Sequence, residues 1–565
     1  ATVVYALTVR AEISLDLGRT ADALADLRQA IERQPSASPE LYQRCAELIL
    51  AVLGAAGRLD ALAVLDLGIE RLGPVVSLEH AAIDIELALG RRERAAERAA
   101  AMQDPSPAPR PPAQGPGVIP PQRGPRVMVD AGSVATLVRG PYLQQGTATS
   151  GILRWRTSAA TASRVEYGPA ADQLINVVDD AALVVDHVVK VDNLAPGTRN
   201  YYAIGSPEGR LAGGDSAHFF DTAPAPGAAH PVRIWVIGDS GTANAAAAAV
   251  RDAFLGWAGA ARPDLWLMLG DNAYLFGTDS EYQQAVFDFY PSVLRSTWLW
   301  PTIGNHDALS ADSPTQSGPY FDIFTLPAAG EAGGLLSGTE AYYAFDWADI
   351  HFVVLDSSDS DLAPGSAQMQ WLAADLARRN RQWLICIFHH PPYTKGSHDS
   401  DNVDDSGGRM QAMRQTALPL LEAAGVDLVL TGHSHSYERS YLLAGHYGPS
   451  DTLTAAMILD GGDGDPLGNG AYRTPGTVYA VAGSSGQVVA SSLNHPAMVV
   501  SMATLGSMVL DVAGGRLDAV FLDDAGSIED AFTLINHELF RDGFERGSPG
   551  AWTATSPRSR ANWGG

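Results

Sequence analysis

Val232-Arg-Ile-Trp-Val-Ile237 runs directly into Gly238-Asp-Ser-Gly241 and from there into an alanine-rich stretch. A short apolar run bounded by a turn signal reads as a buried strand, and the alanines that follow read as a helix. Open α/β sheets collect ligands at the carboxyl ends of such strands, where Asp239 stands. Taken alone, a Gly-Asp pair is equally an ordinary turn or a helix cap.

The pattern recurs. Leu265-Trp-Leu-Met-Leu269 leads into Gly270-Asp-Asn-Ala-Tyr274, and Thr297-Trp-Leu-Trp leads through Pro301-Thr-Ile into Gly304-Asn-His-Asp307. Trp383-Leu-Ile-Cys-Ile-Phe388 leads into His389-His-Pro-Pro-Tyr393, and Val426-Asp-Leu-Val-Leu430 into Gly432-His-Ser-His-Ser-Tyr-Glu-Arg439. Each cluster has a bland reading as a loop, but five in one segment, each following a strand, form a constellation of metal-ligating groups.

This ordered set resembles the metallophosphoesterase superfamily, and its variants resemble the purple acid phosphatases, over most of Pro231 to Asp524. The resemblance implies an α/β four-layer domain with two central mixed sheets flanked by helices. It also implies a dinuclear centre: one metal on Asp239, Tyr274 and His435, the other on Asn305, His389 and His433, with Asp271 bridging. Such donors suit first-row cations, and a shared carboxylate can hold two of them about 3.5–4 Å apart. Many metallophosphoesterases carry a histidine two residues after the first aspartate; this chain has Gly241 there, and Tyr274 would restore the ligand count. A phenolate prefers a hard ion, so Fe(III) is expected in the Tyr274 site and Zn(II), Mn(II) or Fe(II) in the second. The resemblance puts His306 and His398 against the phosphate. His389 rather than His390 is taken as the ligand because the family pattern is His-x-Pro, with His390 in support. Glu438 and Arg439 read as a buried ion pair steadying the last ligand loop.

Upstream of this domain, Val134 to Thr222 alternates apolar and polar residues between turn signals, the pattern of a β-sandwich. Val138-Arg-Gly-Pro-Tyr-Leu143 and Tyr201-Tyr202 resemble the fibronectin-like domain that precedes the catalytic domain in large purple acid phosphatases. Residues 103–130 are a proline-rich linker. Before it, Gly18, Ala23, Leu27, Ala30 and Pro35 echo in Ala61, Leu65, Gly68 and Pro74, which resembles tetratricopeptide helical hairpins over residues 1–102. Such repeats either pack and cap or bind a peptide or protein partner. The expected division is therefore a helical repeat (1–102), linker (103–130), sandwich (131–224), catalytic domain (231–524), and a tail (525–565), the alternative for the last being the start of a truncated β domain. Asp460-Gly-Gly-Asp-Gly-Asp465 has the composition of turns and, less so, of a calcium loop.

The chain has 565 residues, too many for one core, with 46% hydrophobic and 18% charged residues, an ordinary globular balance. A formal charge of -26 would repel phosphate backbones and anionic bilayers, which argues against nucleic-acid tracking. No apolar run is long enough to span a membrane. Cys45 and Cys386 fall in different segments, so neither a shared disulfide nor a cysteine-rich metal site is expected. A secreted or periplasmic location rests on the resemblance alone. The function expected is hydrolysis of small phosphate esters, monoesters first, by a metal-bound hydroxide with His306 and His398 assisting. The alternatives are a phosphodiesterase or nucleotide hydrolase using the same site, or an inert binding protein that works through the repeats.

Overall fold

The computed structural model describes residues 135–225, 230–465 and 470–536, the helix α1 (Arg58–Leu72), and a few single helical residues between 25 and 94. The chain divides into two compact units at Ala131/Gly132. In the first unit α1 buries Ala61, Leu62 and Leu65. The rest of the tetratricopeptide-like pattern, the linker and residues 537–565 lie outside the described residues.

The second unit opens with β1 (Leu137–Gln144), β2 (Ser150–Gly168), β3 (Asn176–Asp192), β4 (Arg199–Ser206), β5 (Gly209–Gly213) and β6 (Phe219–Asp221). These occupy the stretch read as a sandwich, and their ladders run β1-β2-β4-β5, with β3 paired to β2 and β6 to β4 off that path. The 19-residue β2 changes partners along its length, lying between β1 and β3 first and between β3 and β4 later. At Leu143 the path joins Trp298 of the next element group.

That group comprises β7 (Val232–Ile237), β8 (Leu265–Met268), β9 (Trp298–Pro301), β10 (Tyr343–Trp347), β11 (Ile350–Val354), β12 (Trp383–Ile387), β13 (Leu428–Thr431) and β14 (Tyr437–Ser440). There follow the short β15 (Leu442–Leu443), β16 (Ile458–Asp460) and β17 (Tyr472–Arg473), then β18 (Val478–Ala482), β19 (Met498–Met502), β20 (Gly506–Ala513), β21 (Arg516–Asp523) and β22 (Ile528–Ile535). Two mixed sheets result. In one, β7, β8 and β9 are parallel and β20, β21 and β22 extend them antiparallel; in the other, β11, β12, β13 and β18 are parallel, with β10, β14 and β19 antiparallel.

The sheets pack face to face. Trp300 of β9 stacks on Phe345 of β10 with ring centroids 3.7 Å apart, and Val236, Leu267, Phe352, Ile385 and Leu428 fill the same buried layer. Outside the first sheet, α2 (Ala245–Ala258) sets Phe254 on Trp235 at 4.2 Å. Outside the second, α3 (Ala367–Leu376) and α4 (Arg409–Ala423) cover Val353, Leu384, Cys386 and Val429 with Leu372, Leu418 and Leu421. The continuous apolar strands are thus explained, since each is covered on both faces.

The sheet runs past the boundary expected at 524: β22 pairs with β21 over its whole length, so the tail begins only after it. Glu529 and Asp530 interrupt the apolar alternation of this strand, which hid it in the sequence. In the loop after β16, Asp460 and Asp463 accept the backbone N–H groups of Gly462 and Asp465, which makes them turn residues. Cys45 and Cys386 are free thiols, and among the described residues no helix is long and apolar enough to cross a membrane.

At the amino end of β11, His351 is clamped between Asp346 (2.7 Å) and Asp375 (2.8 Å). Burial alone would lower its pKa, but the two carboxylates outweigh it and push it up to about 8. A histidine whose pKa rises on folding stabilises the fold below its unfolded value of about 6.5, and that contribution fades as pH climbs through 8, an effect of about 2 kcal/mol. Urea unfolding of wild type and His351→Gln should differ most at pH 6 and converge by pH 9; a gap that does not change with pH would contradict the clamp.

Candidate metal centre

The parallel strands of both sheets point their carboxyl ends at one seam, and the loops that follow them carry the candidate residues. Asp239 follows β7, Asp271 and Tyr274 follow β8, and Asn305 and His306 follow β9. His389 and His390 follow β12, while His433 and His435 follow β13.

Tight loops let these residues converge. Asp239, Asp271 and His433 adopt left-handed backbone, with φ of 56°, 52° and 66°, a region non-glycine residues enter at a cost. Gly304 lies so close that an added Cβ would meet Asp271 N at 2.1 Å and its Oδ1 at 2.2 Å. Gly241 abuts the 272–273 backbone, and a Cβ there would meet Ala273 N at 2.4 Å, so the position has no room for a side chain.

Two clusters of electron-pair donors meet at Asp271. Around the phenol, Tyr274 Oη lies 2.9 Å from Asp271 Oδ2, 3.1 Å from Asp239 Oδ1 and 3.3 Å from His435 Nε2. The amide nitrogen of Gln487, which can only donate, sits 3.1 Å from His435 Nε2, so that ring nitrogen presents a lone pair. Around His389, Nε2 lies 2.9 Å from Asn305 Oδ1, 3.2 Å from His433 Nδ1 and 3.4 Å from Asp271 Oδ1. His389 Nδ1 donates to Leu269 O at 2.8 Å, which turns Nε2 inward. Asn305 Oδ1 and His433 Nδ1 are themselves 2.9 Å apart.

Each cluster therefore crowds several acceptors around one central donor, the Tyr274 hydroxyl in the first and His389 Nε2–H in the second, while the His306 and His433 backbone N–H groups and the Gln487 amide add hydrogen bonds at the edges. Removal from solvent, then the charges of Asp239 and Asp271, push the Tyr274 phenol well above its usual pKa, so it stays protonated without a cation. Burial would lower His389, but Asp271 raises it to about 9, and its proton serves the second cluster. Burial would raise the Asp271 carboxyl, but His389 and His306 together hold it well below the ordinary range. His433 and His390 are driven low by burial first and by neighbouring histidines second. Acceptors crowded like this suit cations, one on either side of a shared carboxylate, and the donor set fits first-row metals. Asp239, Asp271 and His389 offer ligand atoms all within 4.8 Å of one another.

The remaining candidates lie around this core. His306 donates its backbone N–H to Asp271 Oδ1 (2.9 Å) and its Nδ1 lies 2.6 Å from Leu275 O, leaving Nε2, on a side chain 30% exposed, 3.9 Å from Asp271 Oδ2. His398, 31% exposed, stacks on His433 at 3.9 Å. His390 is buried, with Nδ1 2.9 Å from Ser357 Oγ and its ring 4.3 Å from that of His433.

Glu438 and Arg439 do not pair with each other. Adjacent residues of a strand face opposite sides: Glu438 accepts from Thr394, Ser436 and the Lys395 N–H, while Arg439 forms a fork to Asp530 at 2.6 and 2.8 Å. The first braces the 394–396 loop, and the second ties β14 to β22. Sequence reasoning missed Asp307, which accepts from Gly304 N, Asn272 and Tyr282 and so sets the Asn305 loop; its place in Gly304-Asn-His-Asp307 was the available signal. It also missed Ser357, Gln487, Asp405 and Ser406, polar loop residues with no motif around them.

Replacing Gly304 with alanine should push Asp271 out of line and cost at least about tenfold in metal retention. Elemental analysis after dialysis, with circular dichroism to verify folding, checks this, and full metal content would contradict it.

Comparison with known proteins shows what the chain is similar to. The sequence pattern of the calcineurin-like phosphoesterases matches residues 232–437. Purple acid phosphatase 18 of Arabidopsis thaliana is 31% identical over 224 residues, covering 38% of this chain and 47% of that protein. Purple acid phosphatase 15 of the same plant is 29% identical over 285 residues, covering 45% and 49%. The chain spans about half the length of these curated relatives. A purple acid phosphatase from yellow lupin seeds superposes with a TM-score of 0.55 at 18% identity, over 70% of this chain and 74% of that one, which shows a shared fold. The chain thus carries a metallophosphoesterase domain of the hydrolase class, with purple acid phosphatases among its relatives.

Proposed function

We propose that this chain hydrolyses phosphate monoesters at a dinuclear centre built on Asp239, Asp271, Tyr274, Asn305, His389, His433 and His435. The observation that carries the proposal is the pair of acceptor clusters sharing Asp271, with the Tyr274 hydroxyl between the acceptors of one and His389 Nε2 among those of the other. Two cations bound there would neutralise phosphoryl charge and acidify water. Fe(III) suits the phenol side, because nothing in the protein itself ionises Tyr274, and Zn(II), Mn(II) or Fe(II) suits the two-imidazole side.

The chain's own groups do the rest. His306 and His398 have their Nδ1 atoms engaged by Leu275 O and Asp405, so their Nε2 atoms face the ester. From there they hydrogen-bond phosphoryl oxygens and hand a proton to the departing alkoxide. The fibronectin-like reading of 131–224, a protein-binding role for the helical repeats and an extracytoplasmic location are part of the same proposal and follow the family resemblance.

Metal-loaded protein should turn over phosphomonoesters faster than diesters and show a visible charge-transfer band that Tyr274→Phe abolishes. His306→Ala should cost about 10²- to 10⁴-fold on an alkyl phosphate with metal content unchanged. A colourless protein with two bound metals would contradict the iron assignment. Diester preference would replace the substrate class, and absence of turnover on any ester would overturn the proposal.

A further inference from the structure

The loop beyond His398 contains a hydrogen-bonded chain that links two histidines of the site. Asp405 Oδ1 lies 2.8 Å from His398 Nδ1, and Asp405 Oδ2 accepts the Asp399 N–H at 2.8 Å. Ser406 Oγ donates to the same Asp405 Oδ1 at 2.8 Å and lies 2.6 Å from His433 Nε2. A hydroxyl has one proton, and an ionised carboxylate can only accept. Ser406 therefore accepts from His433 Nε2–H, which leaves the His433 Nδ1 lone pair directed at Asn305 and His389. The same carboxylate takes the Nδ1–H of His398 and leaves its Nε2 free at the rim. Ser406, Gly407 and Gly408 are all left-handed, with φ of 52°, 60° and 76°. A serine enters this region at a cost, and here the turn brings its Oγ to His433 Nε2.

We infer that Asp405 and Ser406 are positioning residues, which fix the tautomer and orientation of His398 and His433 through this relay. The inference rests on the phosphoesterase reading above. Its consequence is that a substrate-facing histidine and a ligand histidine are set by one loop, so disturbing Asp405 acts on turnover through His398 and disturbing Ser406 acts on metal affinity through His433. His398, Asp405 and His433 also offer ligand atoms within 4.8 Å of one another, as a third cation site would. The relay is favoured because each of those atoms already has a partner at 2.6 to 2.8 Å.

A double-mutant cycle on the metal-loaded full chain tests it, using Asp405→Ala, His398→Ala and the double variant on an alkyl and an activated aryl phosphate. Asp405→Ala should lower kcat on the alkyl ester by about 10- to 100-fold with a smaller change in KM, and should cost almost nothing further when His398 is already alanine. Asp405→Asn should recover part of the rate, since its amide oxygen can accept from Nδ1–H. Ser406→Ala should shed metal on dialysis while Asp405→Ala keeps two equivalents. ¹⁵N shifts should show His433 protonated at Nε2 in wild type but not fixed in Ser406→Ala. Equal losses from Asp405→Ala in both backgrounds, or a third metal equivalent that Asp405→Ala removes, would overturn the relay alone. No turnover by loaded wild type would overturn the hydrolase reading and the relay's role with it.

Discussion

Asp271 is the group on which the rest of the structure depends, because its two oxygens belong to two different sets of electron-pair donors. Oδ2 faces Tyr274, and Oδ1 lies 3.4 Å from His389 Nε2. Lone pairs brought this close repel unless a proton or a cation lies between them, and at Asp271 the chain itself provides polar hydrogens alone, those of Tyr274 and His389 and the His306 backbone N–H. Folding to this state has a cost: three left-handed backbones at Asp239, Asp271 and His433, at about 1–3 kcal/mol each. The core behind them offsets it. Trp235, Trp266 and Trp300 are fully buried beneath the loops, and the two sheets hold their strand ends in register.

The position of the site follows from that packing. One sheet delivers carboxylates, the phenol and the carboxamide, and the other delivers the imidazoles. Neither sheet alone could assemble a complete set. Backbone bonds stitch the halves together: the His433 N–H reaches Asp239 Oδ2 at 2.7 Å, and His389 Nδ1 lies 2.8 Å from Leu269 O. The ligand geometry and the sheet-to-sheet packing are thus the same constraint seen at two scales. The clamp on His351 and the fork from Arg439 to Asp530 secure the second sheet and β22 away from the chemistry.

The strands that end at the site were legible in the sequence because each is covered on both faces and therefore reads as an unbroken apolar run. Their loops were legible because the same residue types recur after each run. The partners of those residues were not. Asp405, Ser406, Ser357 and Gln487 act through positions in space that lie 27 to 52 residues from the histidines they hold in the cases of Ser406, Ser357 and Gln487, and no local pattern marks such pairs. Glu438 and Arg439 misled because neighbours in sequence suggest a pair, whereas a strand sends them to opposite sides. The end of the domain was missed because β22 carries Asp530 for Arg439, a tertiary demand that breaks the strand's own alternation.

Anomalous diffraction from a crystal of the metal-loaded protein tests the proposed bridging role of Asp271 most directly. Two peaks about 3.5–4 Å apart are expected, one beside Tyr274 and one beside His389, with Asp271 reaching both. A single peak, or two that do not share Asp271, would contradict the dinuclear centre.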